Sequence, residues 1–240
     1  MQIEGRNAVK EALDANLTIN KVMVDKNLRD RKDPLLFLLT KSRIKIEYLP
    51  KNVLDKKSAT AHHQGFIAQC VDFAYSTEED IFAEAEKRGE DAFIVLLDGI
   101  EDPHNFGAII RSCECAGVHG IIIPKNRACT VNETVIRTST GAALNMKIAR
   151  VTNLKDSIKS MQDRGIWVYC AEVGGKDIYK ENLNKPIAVV IGSEGKGIKP
   201  TIKNMCDGIL TLPLKGNVNS LNASVACGIV IFEVLRQKSK

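Results

Sequence analysis

The 240-residue sequence lacks several features that mark common protein classes. No apolar run is long enough to span a membrane, and the first residues contain no signal-peptide core, so we expect a cytoplasmic protein. The seven cysteines are odd in number and contain no CxxC pair. This pattern argues against a disulfide framework and against a zinc site, and favours reduced thiols.

The usual nucleotide, hydrolase and metal signatures are also missing. No predicted strand is followed by GxGxxG, which argues against a Rossmann dinucleotide site. The stretch 192–196 superficially resembles a phosphate loop but does not satisfy GxxxxGK[ST], and no GxSxG is present. No spacing of His, Cys and carboxylates indicates a metal site, so none is expected.

Charge is spread unevenly along the chain. Residues 1–75 contain 13 Lys and Arg against 9 Asp and Glu, residues 76–100 contain 2 against 8, and residues 101–240 contain 19 against 12. Two basic blocks around an acidic one suit a polyanion partner that touches both blocks. The alternative is that these charges are simply solvated faces. Apolar residues make up 44% of the chain, enough for a sizeable core.

The first 75 residues predict a small basic α/β unit. Periodicity predicts helices over 3–15 and 34–43, and strands over 22–24, 44–49 and 66–71. Residues 76–90 have a different character, acidic and only weakly apolar. We interpret them as a linker or as the first helix of a second domain, which covers residues 91–240.

The second domain predicts alternating strands and helices, and therefore an α/β fold with a parallel sheet. The predicted strands are 93–97, 120–123, 166–171, 187–191 and 209–212. Asn105 is expected to cap a helix of about 11 residues that stops before Gly117. Further helices are expected over 131–140 and 153–163, and a last one running to about Gln237.

Three polar, glycine-containing loops follow predicted strands, at residues 98–107, 191–198 and 212–222. In open parallel sheets, ligands bind beyond the carboxyl ends of the strands, so the loops predict one composite site. For the third loop alone, an ordinary helix start capped by Ser220 or Asn222 is the simpler interpretation.

The same loops carry a resemblance to a known family. The segments NFGAIIRSCECAG (105–117), VVIGSEGKGI (189–198) and LPLKGNVNSLNASVACGIVIFEVLRQ (212–237) resemble, in order, the three motifs of the SpoU/TrmH-type RNA ribose 2′-O-methyltransferases of the SPOUT superfamily. The first 75 residues resemble the ribosomal-protein-like RNA-binding domain of many members. The chain is most similar to bacterial enzymes that methylate a guanosine ribose in 23S ribosomal RNA.

This resemblance implies S-adenosyl-L-methionine as methyl donor, a trefoil knot in the C-terminal domain, and a homodimer with the site near the subunit interface. It implies RNA as partner. Residues at the family's catalytic positions are Asn105, Arg111, Glu194, Ser220 and Asn222. Residues expected to pack against the cofactor are Gly192, Leu212 and Leu221, with Gly195 and Gly216 in the same loops.

Arg111 is the residue that we expect to act on the reacting hydroxyl. Family proposals make this arginine the general base, but a guanidinium does not give up its proton in proteins. We expect it instead to orient the ribose hydroxyl and stabilise the alkoxide, with water or phosphate taking the proton. The alternative is a surface arginine paired with Glu114.

The roles of the other residues stay open in the sequence. Glu194 is expected to accept hydrogen bonds from loop N–H groups or from Asn222, or else to lie in water. Ser220 and Asn222 are expected to bind RNA, to brace Arg111, or only to cap the last helix.

Three other functions are compatible with parts of the sequence. They are the same reaction on transfer RNA, a non-catalytic RNA-binding or ribosome-assembly protein, and a small-molecule enzyme on a Rossmann-like sheet. The last leaves the basic first unit unexplained.

Overall fold

The fold was analysed in a computed structural model that describes residues 1–14, 17–59, 61–217 and 219–239. The chain divides into two compact units. The first contains Met1–Ala74 and Val131–Leu144, and the second contains Tyr75–Thr130 and Asn145–Lys240. The sequence placed 131–144 with the second domain, so the first unit takes in a segment that was not expected there.

The elements of residues 1–74 alternate between strands and helices. In chain order they are β1 (Gln2–Glu4), α1 (Arg6–Asp14), β2 (Ile19–Asp25), α2 (Pro34–Lys41), β3 (Lys45–Leu49), α3 (Lys51–Lys57) and β4 (Phe66–Cys70). The strands form a sheet in the order β1-β4-β2-β3, in which β2 and β3 are parallel and β4 is antiparallel to both its neighbours.

The remaining residues form the longer part of the structure. In chain order the elements are α4 (Glu78–Arg88), β5 (Phe93–Asp98), α5 (Pro103–Cys115), β6 (Gly120–Pro124), α6 (Glu133–Thr138), β7 (Ile148–Val151), α7 (Leu154–Asp163), β8 (Trp167–Asp177), β9 (Ile187–Gly192), α8 (Pro200–Lys203), β10 (Gly208–Thr211) and α9 (Ala223–Lys238). Helix α6 belongs to the first unit because it packs against α1.

The second unit is built on a six-stranded sheet in the order β10-β8-β9-β5-β6-β7. Every pairing in it is parallel, which confirms the predicted sheet type. Strands β5 and β9 lie at the centre, and β5 is buried along its whole length. This agrees with the continuous apolar run over 93–97, as expected for a strand covered on both faces.

Several predicted elements needed correction. The expected helix over 3–15 is a strand, a turn at Gly5 and then α1, which ends at Asp14; residue 15 lies outside the described residues. Strand β7 was missed because its four residues include the charged Arg150 and are too short to show a pattern. Helix α3 was also missed. The helix expected over 131–140 is shorter and runs over Glu133–Thr138.

Residues 78–88, interpreted as a linker or a helix, form α4. Thr77 and Asp80 make a capping box at its start, and Gly89 ends it in the left-handed conformation, with φ of 66°. Ile81 and Phe82 join the core formed by the sheet and α7. The segment therefore packs as a helix of the second unit.

No helix in the described part of the chain is long and apolar enough to cross a membrane.

The contact between α4 and β6 gives a stability prediction. In Gly120→Ala, the new Cβ would lie 2.5 Å from Cγ1 of Ile81, so the substitution should destabilise the chain by about 1–3 kcal/mol. Chemical unfolding should show a lower midpoint with an unchanged slope. Gly216→Ala is the control, because its Cβ would meet nothing within 4 Å. Equal midpoints for the two variants would contradict the packing.

Candidate functional site

The loops that follow the central strands converge at one edge of the second unit's sheet. Asp98 at the end of β5 is in register with Gly192 at the end of β9, and Ile191 is in register with Ala171 of β8. Because all strands are parallel, their carboxyl ends share this edge. The composite site expected from the loops therefore has a structural basis.

A pocket of about 300 Å³ lies at this edge, beyond β8, β9 and β10. Its walls are mainly aliphatic, with polar groups from the loops. They include Ala171, Glu172, Val173, Ile191, Gly192, Ser193, Glu194, Lys196, Gly197, Ile198, Leu210, Leu212, Leu214, Asn219, Ser220, Leu221 and Ala226. An apolar cleft with a few convergent polar groups is typical of a small-molecule site.

Gly192 forms the tightest part of the pocket wall. A Cβ added there would lie 2.6 Å from both the carbonyl oxygen of Gly197 and the backbone nitrogen of Ile198. The loop between them is closed by a bridge between Ser193 and Gly197, whose φ is 63°. Only glycine fits at position 192, so the backbone itself lines the pocket there.

Glu194 is the centre of a hydrogen-bond network that connects three loops. Its Oε1 accepts from Nδ2 of Asn105 at 2.9 Å and from the backbone N–H of Ala223 at 3.3 Å. Nδ2 of Asn222 donates both to the same oxygen and to Oδ1 of Asn105, the latter at 2.9 Å. The alternative of a carboxylate solvated without protein partners is therefore wrong.

Asn222 also caps the last helix. Its Oδ1 accepts from the backbone N–H groups of Ser224 and Val225, at 3.0 and 3.2 Å. This leaves the Nδ2 group free to reach Glu194 and Asn105. One side chain therefore both starts α9 and fastens it to the other loops. Ser220 lines the pocket and is exposed, and it is not the cap.

Asn105 does not cap its helix, contrary to the sequence prediction. The cap lies three residues earlier, at Asp102, which accepts from the N–H of His104, and Pro103 is the first residue of the helix. Proline is favoured there because its missing N–H would have no partner in the helix. Asn105 lies in the first turn, and its amide is committed to Glu194 and Asn222.

Arg111 lies six residues after Asn105 on α5 and is exposed. At 100° per residue, its side chain leaves the helix about 120° away from that of Asn105. Among the described residues it forms no hydrogen bond or ion pair, so the expected alternative of a pair with Glu114 is not seen. The structure leaves its guanidinium uncommitted and does not join it to the Glu194 network.

The residues expected to pack against a cofactor divide into two groups. Gly192, Leu212 and Leu221 all line the pocket. Gly195 and Gly216 do not line it, and a Cβ at either would meet nothing within 4 Å. Their assignment to cofactor binding stays a prediction.

Sequence analysis missed Glu172, which follows the predicted strand 166–171 and lines the pocket. Its Oε1 accepts from Nζ of Lys203 at 3.0 Å, while its Oε2 is buried without a hydrogen-bond partner. The carboxyl-end rule for parallel strands could have indicated it, because β8 ends at the same edge as β9. In the described residues, no group of three His, Cys, Asp or Glu is placed to hold a metal ion.

Two family models match the chain. The model described as the SpoU rRNA methylase family matches residues 92–232. The model described as the RNA 2′-O ribose methyltransferase substrate-binding domain matches residues 2–76. The two matches together span nearly the whole sequence.

Curated relatives match over nearly their full length. A TrmH family tRNA/rRNA methyltransferase of Bacillus subtilis is 40% identical over 237 residues, covering 98% of this chain and 95% of the relative. One from Staphylococcus haemolyticus is 39% identical over 239 residues, covering 98% and 95%.

Solved structures show the same fold. The SpoU methyltransferase AviRb of Streptomyces viridochromogenes, crystallised with AdoMet, superposes with a TM-score of 0.79 at 22% identity, covering 100% of this chain and 91% of that one. An AdoMet-bound rRNA methyltransferase of Sinorhizobium meliloti gives 0.70 at 23% identity, covering 98% and 86%.

Substitutions at Asn222 should separate its two roles. Asn222→Ala removes the cap acceptor and should cost about 1 kcal/mol of unfolding free energy, whereas Asn222→Ser keeps a good cap and should stay close to the parent protein. Both lose the amide link to Glu194 and Asn105. Thermal and denaturant unfolding measure the difference. Equal destabilisation by the two variants would show that the link, rather than the cap, stabilises this end of α9.

Proposed function

The chain belongs to the SpoU family of RNA 2′-O-methyltransferases, and on this premise we propose that it methylates the ribose of a guanosine in large-subunit ribosomal RNA, with S-adenosyl-L-methionine as donor. The observation that supports the proposal is that the second and third motif segments line one pocket, and that Asn105 of the first segment is hydrogen-bonded to Glu194 at that pocket. The position of Gly192 in that pocket wall adds to it.

The residues of the pocket fit the proposed donor. Aliphatic side chains, among them Leu210, Leu212 and Leu221, offer a surface for a nucleoside, and the backbone at Gly192 leaves no room for a side chain. The unpartnered Oε2 of Glu172 is an acceptor that a hydroxyl or amine of a ligand would satisfy. When bound, S-adenosylmethionine supplies a methyl group on a positively charged sulfur.

The Glu194 network has a positioning role in this proposal. It holds the first turn of α5, the loop after β9 and the start of α9 in fixed relation. Methyl transfer needs the ribose oxygen in line with the departing sulfur, so fixed loops reduce the cost of alignment. Ser220, exposed at the pocket, is available to contact the RNA.

Arg111 is proposed to stabilise the oxygen that attacks. Its guanidinium keeps its charge and offers several N–H donors in a planar fork, which suits a phosphate together with a developing alkoxide. Because it has no partner among the described residues, no ion pair has to break when RNA binds. The ribose proton then passes to water or to a phosphate oxygen.

The first unit is proposed to bind the RNA and select the target. It carries a basic surface made by Arg29, Arg31 and Lys32, beside the exposed ring of Phe37. The guanidinium of Arg29 lies 5.4 Å from the ring centroid of Tyr48. Cations interleaved with aromatic rings favour single-stranded RNA, whose bases stack on such surfaces.

A homodimer is also part of the proposal. Val225, Ile229 and Phe232 recur at helical spacing on α9 and are 50%, 36% and 47% exposed. A row of exposed apolar side chains on a helix is typical of a protein contact. The proposed occupant is the same face of a second copy, since family resemblance implies a dimer with the site near its interface.

Ribosomal RNA is the first choice of substrate and transfer RNA the second. The relatives' names include both classes, and the matched family model names ribosomal RNA. A non-catalytic RNA-binding protein is a weaker alternative, because Arg111, Glu194 and Asn222 are all present and two of them are joined at the pocket.

The substrate proposal predicts where the methyl group goes. Purified protein with methyl-labelled S-adenosylmethionine should label large-subunit ribosomal RNA from a strain that lacks the gene, and the label should resist alkaline hydrolysis at one guanosine. Labelling of transfer RNA alone would move the proposal to the second substrate. Calorimetric binding of the donor without transfer to either RNA would favour the non-catalytic alternative.

Arg111→Lys should reduce turnover by about 100-fold or more, because lysine keeps the charge but loses the fork of donors that orients the oxygen. Donor affinity measured by calorimetry should stay unchanged. Arg88→Lys, on α4, is the matched control and should keep full activity. Near-normal turnover in Arg111→Lys would show that the guanidinium does not act on the ribose oxygen.

A further inference from the structure

A second cavity lies at the same edge of the second unit's sheet, beyond the ends of β5, β6 and β7. Its volume is about 300 Å³, and none of its lining residues lines the first pocket. The two cavities are adjacent in the sequence where Ile198 lines the first and Lys199 lines the second. Four segments of the chain build it. The lining residues are Asp98, Pro124, Asn126, Arg127, Thr152, Asn153, Leu154, Lys155, Lys199, Thr201 and Ile202.

The lining of this cavity is positively charged. Arg127, Lys155 and Lys199 contribute three cations against the single carboxylate of Asp98 among the described lining residues. Asp98 is 1% exposed and is already bonded to Lys199, through the backbone N–H at 2.9 Å and through the ammonium group. Arg127 and Lys155 have no ion pair in the described part of the chain, so their charges are uncompensated.

Neutral hydrogen-bonding groups accompany the two free cations. Asn126, Thr152 and Thr201 contribute an amide and two hydroxyls to the lining. Amide N–H and hydroxyl donors beside uncompensated cations are the groups that proteins use on phosphate oxygens. The chemistry of the lining therefore matches an anion with several oxygens.

Arg127 is held in an unusual backbone conformation. Its φ is 57°, in the left-handed region that a residue with a Cβ seldom adopts. Asparagine precedes it and alanine follows it, so no glycine takes up the turn. Such strain persists only where the surrounding structure holds the residue in place, and ligand sites are among those places. Arg43, Ala61, Gln64 and Thr140 also have positive φ, but none of them lines this cavity. This feature is independent of the charge count.

We propose that this cavity binds a backbone phosphate of the RNA substrate, close to the methylated ribose. The inference rests on the proposed function. Asp98 of the cavity is in register with Gly192 of the first pocket, and the cavity extends from β5 to β7. At about 4.8 Å between strands, it lies roughly 5–15 Å from Gly192.

Two substitutions and a matched control test the site. Lys155→Ala and Arg127→Gly each remove a cation from the cavity, and the glycine also relieves the backbone at φ 57°. Lys159→Ala is the control, because it removes the same charge from the same helix one turn away, at an exposed position outside the cavity.

The measurement is the affinity for transcribed large-subunit ribosomal RNA between 50 and 200 mM salt. Each cavity variant should weaken binding by up to about 5-fold at the lower salt. The double variant should reduce the slope of log affinity against log salt by about 0.7–0.9, as expected for one lost phosphate contact. Lys159→Ala should keep the slope. Arg127→Gly should unfold at the same temperature as the parent or higher, while its RNA affinity falls.

Other results would overturn the proposal. An unchanged salt slope in the double variant would exclude a phosphate contact in the cavity. An equal loss of RNA affinity in Lys159→Ala would show that these cations attract RNA only through the overall positive charge of the surface. Inorganic phosphate that binds the wild type tightly without competing with RNA would assign the cavity to a free anion.

Donor calorimetry and methyl transfer separate this proposal from the proposed function. Suppose that the wild type binds RNA and the variants show the expected loss of salt slope, but the wild type transfers no methyl group. The proposed function then fails and the phosphate site stands. If it transfers the methyl group and the variants keep the slope, the phosphate site alone fails.

Discussion

The candidate site depends on a single carboxylate oxygen, Oε1 of Glu194, that fastens three loops far apart in the sequence. Asn105 lies 89 residues away from Glu194 and Asn222 lies 28 residues away, yet their amides meet on this atom. Each of these hydrogen bonds is exposed and is worth about 0.5–1.5 kcal/mol at most. They can fix the loops only because the parallel sheet has already brought the strand ends together. The buried strands therefore determine where the loops lie, and the hydrogen bonds determine their exact positions.

The parts of the fold that sequence could predict are those where burial leaves a repeating pattern. Strand β5 has an uninterrupted apolar run because it is buried along its whole length. Strand β7 has four residues, one of them charged, and its place in the sheet comes from pairing with β6 rather than from its own composition. The grouping of 131–144 with the first unit depends on packing between α6 and α1, which no local pattern records.

The candidate site likewise has parts that the sequence could predict and parts that it could not. The three loops follow from residue types and spacing, whereas the cap at Asn222 and the acceptor role of Glu194 were each one of two alternatives that the structure decides. The start of α5 was misplaced although Asp102 and Pro103 carry the signal for a helix start, because Asn105 is an equally good cap by composition. The position of Glu172 after a predicted strand could have been noted, but its unpartnered oxygen and the left-handed backbone of Arg127 are visible only in the structure.

Helix α9 carries a residue of the candidate site at its start and exposed apolar side chains along its length. Asn222 sits at the first turn of α9, and Val225, Ile229 and Phe232 are exposed along its next turns. A helix of 16 residues moves as one rod, about 24 Å long. A second copy seated on the apolar face would therefore restrain the helix axis, and with it the amide that reaches Glu194. In the proposed dimer, this restraint would act on the pocket through the cap at Asn222.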